Sequence, residues 1–398
     1  MASYDTIPST AKTQPTPFKV NIPQEKLHQL EQLVKLSPIG PETYENLFED
    51  RKLGVSRSWL ESAKKEWESF DWRSHEAHIN SFPHFTLPVT DDDGRKHSVH
   101  FVALFSTNPS AAPVAFFHGW PGSFLEFLPI LSLLKSQYAP DQLPFHVIVP
   151  SLSGYTFSGR PPKDKDWTMQ DEARIMHKFM CELGFEKGYV TQGGDIGSFI
   201  ARIMGAENEA CKAVHLNFSP MQKPDSASDS DINELEAFAL KRGAEFQRTG
   251  FAYAMEHGTR PATIGLVLSS SPIALLAWIG EKFLTWTDAD PPVSAILESI
   301  SLYWLTDSFP TSIWSYRQHY GPNPIPGGVH GNAKFRLNKP FGYSFFPYEL
   351  MAMPKAWVQT NGDLVFWRQH ERGGHFAAME KPDELLKDVT DFVTQVWK

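Results

Sequence analysis

The residues with the clearest chemical meaning lie in a glycine-rich segment near the middle of the chain. Residues 193–198 read Gly-Gly-Asp-Ile-Gly-Ser, with a strand-like run before them and a helix-like run after them. A strand, a turn of small residues and a helix are the setting of a nucleophile elbow, which presents one side chain at its tip. The tip residue is Asp195, and a carboxylate can attack carbon without first losing a proton. A helix-capping aspartate and an anion-binding loop are the alternative interpretations of this segment alone.

An ester formed on Asp195 needs a base to hydrolyse it, and His375 is the predicted base. It lies in a glycine-rich loop, residues 373–376, between the last predicted strand and the last predicted helix. Histidine is the side chain best suited to accept a proton at neutral pH. A nucleophile followed much later by a histidine is the chain order of the α/β-hydrolases. Two acids, Glu349 and Asp363, could orient the imidazole, and the rule that the acid follows the penultimate strand favours Glu349.

A second loop supplies backbone donors. Residues 118–122, His-Gly-Trp-Pro-Gly, follow the apolar run 114–117. In an α/β-hydrolase this position contributes one N–H group to the oxyanion hole, and the residue after the nucleophile contributes another. We therefore predict the N–H groups of Trp120 and Ile196 as the oxyanion hole. The structural alternative is a strand exit stiffened by glycine and proline.

The composition places the chain among soluble globular proteins. Hydrophobic residues make up 41% and charged residues 21% of the 398 residues, and the net charge is −9. The absence of a basic block argues against nucleic acid as a partner. The longest apolar region, residues 264–279, is interrupted by serines and a proline, so no membrane anchor is expected. With only two cysteines, Cys181 and Cys211, and no apolar leader, the sequence predicts a cytoplasmic, soluble protein.

Neither a cofactor nor a metal is expected. The sequence contains no His-Glu-x-x-His segment and no cysteine pairs at metal-ligand spacing. It also lacks the glycine loops that bind nucleotides, so a nucleotide cofactor is not implied.

The pattern along the chain predicts an α/β-hydrolase fold: a mostly parallel sheet with helices on both faces. Short apolar runs that end in small-residue loops and are followed by helical segments are typical of buried parallel strands. We expect an N-terminal extension at residues 1–105, of which 1–19 form a flexible arm, and a core at residues 106–220 plus 325–398. A helical lid is expected at residues 221–324. The predicted strands are residues 114–117, 145–149, 189–192, 214–217, 342–346 and 356–360, and the last helix begins at Pro382.

These motifs in this order make the chain resemble the epoxide hydrolases of the α/β-hydrolase fold, specifically the soluble, unanchored members of the microsomal-type branch. The resemblance extends over about residues 15–398. It is carried by the segments 71–73, 82–85, 118–121, 150–155, 193–198 and 373–376.

The resemblance implies an enzyme that converts a small-molecule epoxide to a vicinal diol through an ester on Asp195. It also implies that two lid tyrosines, Tyr253 and Tyr316, hydrogen-bond the epoxide oxygen, because a neutral phenol can donate to a developing alkoxide. A homodimer through the extension and the lid, and roles in detoxification and aromatic hydrocarbon catabolism, are further implications.

Two other functions remain open at this point. A haloalkane dehalogenase uses the same aspartate chemistry but typically has tryptophan after the nucleophile, where this chain has Ile196. A non-catalytic α/β-hydrolase relative that binds a small molecule or a partner usually lacks a triad member, whereas Asp195, Glu349 and His375 are all present here. A serine esterase is disfavoured because Ser198 lies on the outgoing helix.

Overall fold

The computed structural model describes residues 3–398, in which nine strands form one sheet. The strands are β1 (Thr16–Phe18), β2 (His84–Thr90), β3 (Lys96–Leu104), β4 (Ala112–Phe117), β5 (Phe145–Pro150), β6 (Tyr189–Gly193), β7 (Cys211–Leu216), β8 (Leu337–Phe345) and β9 (Gly362–Gln369). Their order across the sheet is β1-β2-β3-β5-β4-β6-β7-β8-β9. Neighbours from β5 to β9 in this order are parallel, whereas β1, β2, β3 and β5 pair antiparallel. The predicted α/β-hydrolase fold is confirmed.

The helices fall into the extension, the core and the segment between β7 and β8. Those of the extension are α1 (Gln24–Leu36), α2 (Arg57–Trp67) and α3 (Trp72–Ile79). The core contributes α4 (Leu128–Gln137), α5 (Met169–Glu182) and α6 (Asp195–Glu207). Between β7 and β8 lie α7 (Glu234–Thr249), α8 (Ala252–Thr259), α9 (Pro261–Leu268), α10 (Pro272–Trp286), α11 (Val293–Leu305), α12 (Phe309–Ser312) and α13 (Arg317–Tyr320). The chain ends with α14 (Lys355–Val358), α15 (Ala377–Glu380) and α16 (Pro382–Val396).

The central strands form because their side chains are apolar on both faces. Every residue of β4 and β5 is buried, which requires covering helices on both sides of the sheet. On one side α5 and α6 pack together, and on the other α16 packs with α4 and against β8. Burial of each large apolar side chain stabilises the fold by about 1.5–3 kcal/mol. The sheet edge that carries the loops after β4, β6 and β8 is thereby held rigid.

The prediction of a strand at residues 356–360 is wrong. These residues form α14 and a following 3-10 turn, Gln359–Asn361, and the strand β9 begins only at Gly362. Pro354 precedes the first helical residue, a position at which its missing N–H is not needed. The apolar run Ala356–Val358 is too short for its periodicity to separate strand from helix. The next two residues, Gly362 and Asp363, open β9.

The first nineteen residues differ from the predicted flexible arm; residues 1 and 2 lie outside the described residues. The short strand β1 extends the sheet by pairing with β2. The N–H of Lys12 donates to the carbonyl oxygen of Glu182 at 2.9 Å, and the hydroxyl of Tyr4 donates to the carbonyl of Tyr138. These hydrogen bonds hold the segment against the core.

In residues 3–398 no single helix combines the length and apolar composition needed to cross a bilayer. The pair α9 and α10 together reaches that length, but the two helices are bent by 117° at the break between them.

Candidate active site

The turn between β6 and α6 has the geometry of a nucleophile elbow. Asp195 is the first residue of α6 and has φ +43°, a backbone conformation that non-glycine residues adopt mostly at strained functional turns. The close approach of this turn to β4 and its following loop explains why residues 119 and 197 are glycines. A Cβ on Gly197 would lie 2.1 Å from the carbonyl oxygen of Phe117, and one on Gly119 would lie 2.1 Å from Asp195 Oδ1. The elbow therefore fits against β4 and its following loop only with glycine at both positions.

The loop after β4 holds one oxygen of this carboxylate. The backbone N–H of Trp120 donates to Asp195 Oδ1 at 2.8 Å. Ile196 is buried in the first turn of α6, where helix N–H groups have no intrahelical acceptor. Of the two predicted oxyanion-hole residues, Trp120 thus lies in the loop after β4 and Ile196 lies at the start of α6. The N–H of Trp120 is hydrogen-bonded to the Asp195 carboxylate.

The structure brings His375 and Glu349 together beside Asp195. Nδ1 of His375 lies 2.6 Å from Glu349 Oε1, and Nε2 lies 3.4 Å from Asp195 Oδ2. Both His375 and Glu349 are buried. The loops that carry them are joined, because the N–H of Tyr348 donates to the carbonyl of Gly373 at 3.0 Å. Asp363, the other predicted acid, is instead exposed at the start of β9.

The lid, which is the helical segment between β7 and β8, is hydrogen-bonded to the loop that carries His375. The N–H of His375 donates to the carbonyl oxygen of Trp286, the last residue of α10, at 3.0 Å. Two residues further on, the carboxylate of Asp288 accepts hydrogen bonds from the N–H of Gly373 and from the side chain of Arg372. The imidazole is therefore positioned from both the core and the lid.

Opposing influences act on the protonation of His375. Burial disfavours the charged imidazole, but the carboxylates of Glu349 and Asp195 outweigh it and raise the pKa of His375. With both carboxylates ionised, the imidazole holds its proton between them. Loss of the charge on Asp195 removes one of the two groups that keep that proton in place.

The two predicted tyrosines lie together in the wall of a cavity that reaches Asp195. Tyr253 lies in α8, Tyr316 ends a 3-10 turn at Ile313–Tyr316, and both are buried. Burial raises the pKa of both phenols well above the usual value, and the two rings lie edge-to-face with centroids 5.8 Å apart. The cavity measures about 850 Å³. Two neutral hydrogen-bond donors thus share one space with the carboxylate.

Ser198 does not face this cavity. Its hydroxyl donates to the carbonyl oxygen of Asp195 at 2.6 Å and lies 2.9 Å from Nε2 of His330. It is buried within α6, and its hydrogen bond to the Asp195 carbonyl stabilises the backbone of the elbow.

Sequence reasoning missed Glu126. It lines a second, small cavity of about 20 Å³ together with Asp195, His375 and Gln192. Burial raises the pKa of Glu126 to about 8, with the charge of Asp195 acting in the same direction and His375 against it. This volume accommodates about one water molecule. A lone charged residue in the apolar run 124–128, just after the loop at Trp120, is the signal that could have found it.

Among residues 3–398, no group of three or more histidine, cysteine, aspartate or glutamate side chains is arranged to hold a metal ion.

Comparison with known proteins places this site in a family. Residues 15–127 match the family described as epoxide hydrolase N terminus, and residues 112–257 match the alpha/beta hydrolase fold. The sequence is 30% identical over 414 residues to epoxide hydrolase 1 of Oryctolagus cuniculus, which covers 95% of this chain and 88% of that protein. The chain belongs to the epoxide hydrolase family. The resemblance noted from the sequence is thereby confirmed, and with it that the protein is a hydrolase.

Two further relatives agree. A protein of Dothistroma septosporum, named as a candidate epoxide hydrolase, is 46% identical over 398 residues, covering 99% of this chain and 93% of its own length. The solved structure of Aspergillus niger epoxide hydrolase superimposes with a TM-score of 0.94 at 50% identity and covers both chains completely. The agreement extends from the extension through the lid, so the epoxide hydrolase likeness includes every element that borders the cavity.

Proposed function

We propose that this protein converts epoxides to vicinal diols through a covalent ester on Asp195. The observation that carries the proposal is the position of His375, whose imidazole lies 2.6 Å from Glu349 and 3.4 Å from Asp195. The same carboxylate borders a cavity with two neutral phenols. A nucleophile, a base with its orienting acid, and proton donors therefore share one site.

In the first step, one carboxylate oxygen of Asp195 attacks an epoxide carbon and the carbon–oxygen bond of the ring breaks. The electron pair of that bond remains on the ring oxygen, which Tyr253 and Tyr316 stabilise by hydrogen bonds and protonate. Placing the carboxylate next to the carbon supplies up to roughly 7–11 kcal/mol of the barrier reduction in ideal cases. Each aligned donor to a developing oxyanion contributes about 3–4 kcal/mol.

In the second step, water hydrolyses the ester. A water molecule in the small cavity beside Glu126 gives a proton to Nε2 of His375 as its oxygen attacks the ester carbonyl. The N–H groups of Trp120 and Ile196 stabilise the resulting oxyanion. Collapse of the intermediate expels the diol oxygen, which takes the proton from His375. Asp195 keeps one oxygen from water and is released as a carboxylic acid, whose proton returns to the phenolate formed in the first step, so that both groups are restored.

The order of the steps follows from charge. Before the reaction, Asp195 and Glu349 together favour the protonated imidazole. Formation of the ester neutralises Asp195, so the pKa of His375 falls once the ester exists. The histidine becomes a base at the stage when a base is needed, and Glu349 then stabilises the imidazolium that forms.

A single-turnover experiment in heavy-oxygen water tests the proposal. We expect the label from one turnover of styrene oxide to appear in the peptide that contains Asp195, with unlabelled diol. Label in the diol alone would indicate direct attack by water and would overturn the proposal. In His375→Gln the ester should accumulate, and in Asp195→Asn it should not form.

We also propose that the protein forms a homodimer through the extension and the lid. Leu36 at the end of α1 and Leu266 in α9 are each 77% exposed. The hydroxyls of Ser37 and Ser271 lie 3.5 Å apart, so these two apolar segments adjoin. Sedimentation at micromolar concentration should give a species of twice the chain mass, and Leu266→Glu should give the monomer. A monomeric parent protein would contradict this proposal.

A further inference from the structure

A buried lysine of the lid lies over the ring of Tyr253. The side chain of Lys282, in α10, is 4% exposed, and its ammonium nitrogen lies 4.7 Å from the centroid of the Tyr253 ring. The rings of Trp278 and Trp286 lie 5.4 and 5.9 Å from the same nitrogen. The carboxylate of the adjacent Glu281 is its ion-pair partner. A desolvated cation is therefore held against the π face of a phenol that borders the active-site cavity.

The second phenol has no such cation over its ring. In residues 3–398 no lysine or arginine lies over the ring of Tyr316, although the rings of both tyrosines meet that of His257 edge-on, at 4.8 Å for Tyr316 and 5.4 Å for Tyr253. Burial lowers the pKa of His257 to about 3, and Lys282 acts in the same direction, so this imidazole is neutral. Burial raises the pKa of both phenols, so both are neutral donors, and only the ring of Tyr253 has a cation over its face. The two tyrosines are thus chemically unequal.

We propose that Lys282 makes Tyr253 the principal proton donor in epoxide ring opening. The inference rests on the proposed function. As the bond between Asp195 and carbon forms and the ring carbon–oxygen bond breaks, the phenolic proton of Tyr253 moves to the ring oxygen. The phenolate left behind carries its charge into the ring, where the ammonium over its face attracts it. Lys282 keeps its own proton and touches no reacting atom, so it is a positioning residue that acts through Tyr253.

Quenched-flow mass spectrometry of the Asp195 peptide, with styrene oxide under single turnover, separates the two steps. Lys282→Met should slow ester formation about 5- to 30-fold, the factor that a desolvated cation–π interaction supplies, and should leave ester hydrolysis within about twofold. Lys282→Arg keeps the charge and should restore most of the rate. Lys334→Met is the matched control, because Lys334 lies 4.9 Å from the Phe335 ring but is 58% exposed and does not line the cavity that Tyr253 borders.

Double variants distinguish action through the phenol from a general effect on the fold. In a Tyr253→Phe background, which keeps the ring and removes the hydroxyl, Lys282→Met should cause no further slowing. In a Tyr316→Phe background the full slowing should remain. Should Lys282→Met fail to fold, Lys282→Gln provides the same comparison.

Three results would overturn the inference: unchanged ester formation without Lys282, equal slowing of both steps, or full slowing in the Tyr253→Phe background. Absence of any ester in the parent protein would instead contradict the proposed function itself.

Discussion

The charge on Asp195 should set the basicity of His375, and this link can be measured without substrate. In Asp195→Asn the side chain keeps its size but loses its charge, as it would on formation of the proposed ester. The carboxylate oxygen lies 3.4 Å from Nε2. Two unit charges at this distance attract each other by about 5 kcal/mol at an effective dielectric constant of about 20. Because this attraction favours the imidazolium, its removal should lower the pKa of His375.

The measurement is a pH titration of ring-labelled histidine by NMR, with the His375 signal assigned from its loss in His375→Gln. We expect the pKa of His375 in Asp195→Asn to lie below that of the parent protein. Asp363→Asn is the control, since this aspartate is exposed at the start of β9, and it should leave the titration unchanged. An unchanged or higher pKa in Asp195→Asn would refute the argument that ester formation converts the imidazole to a base.

Three further predictions concern the elbow, a buried ion pair and acid. Gly119→Ala should abolish ester formation while circular dichroism stays native, because its Cβ would lie 2.1 Å from Asp195 Oδ1; a normal rate of ester formation would contradict this. Arg174→Met should lower the free energy of unfolding in urea by about 2–3 kcal/mol, because it removes the bidentate partner of the buried Asp91 carboxylate. Arg95→Met breaks an exposed pair and should lower it by less than about 1 kcal/mol, so equal losses would argue against the role of burial. The free energy of unfolding should also fall between pH 6.5 and 4, because burial lowers the pKa of several histidines to about 4 and the unfolded chain takes up their protons first. Buried carboxyls with raised pKa values, such as Glu126 and Glu380, act in the opposite direction but are fewer. A constant urea midpoint between pH 6.5 and 4 would refute the prediction. These histidines are His84, His118, His146, His215 and His319.

The parts of the fold that follow from local patterns were predictable from the sequence. The wholly apolar runs at β4 and β5 and the small-residue turn at Asp195 each have one structural solution, because buried strands and close backbone approach restrict the residue types. The position of Glu349 near His375 followed from chain order. The geometry between them depends on the pairing of two loops at Tyr348 and Gly373, which no local pattern encodes.

Other features could not be predicted because they depend on long-range contacts. The run 356–358 is apolar enough for either a strand or a helix, and its place beside Pro354 decided the outcome. Glu126 and Lys282 are ionisable residues whose roles depend on burial against distant elements, the first beside His375 and the second over Tyr253. The sequence shows that such residues can ionise, but only the packing shows that they are shielded from bulk solvent.

The hydrogen bond from His375 to the carbonyl of Trp286 restricts how this enzyme can be altered. A lid that moved away as a rigid body would pull on the loop that carries His375, so the last turn of α10 must stay in place. Redesign for bulkier molecules should accordingly exchange cavity-lining residues such as Phe199, Phe251 and Met351 and keep the last turn of α10 unchanged.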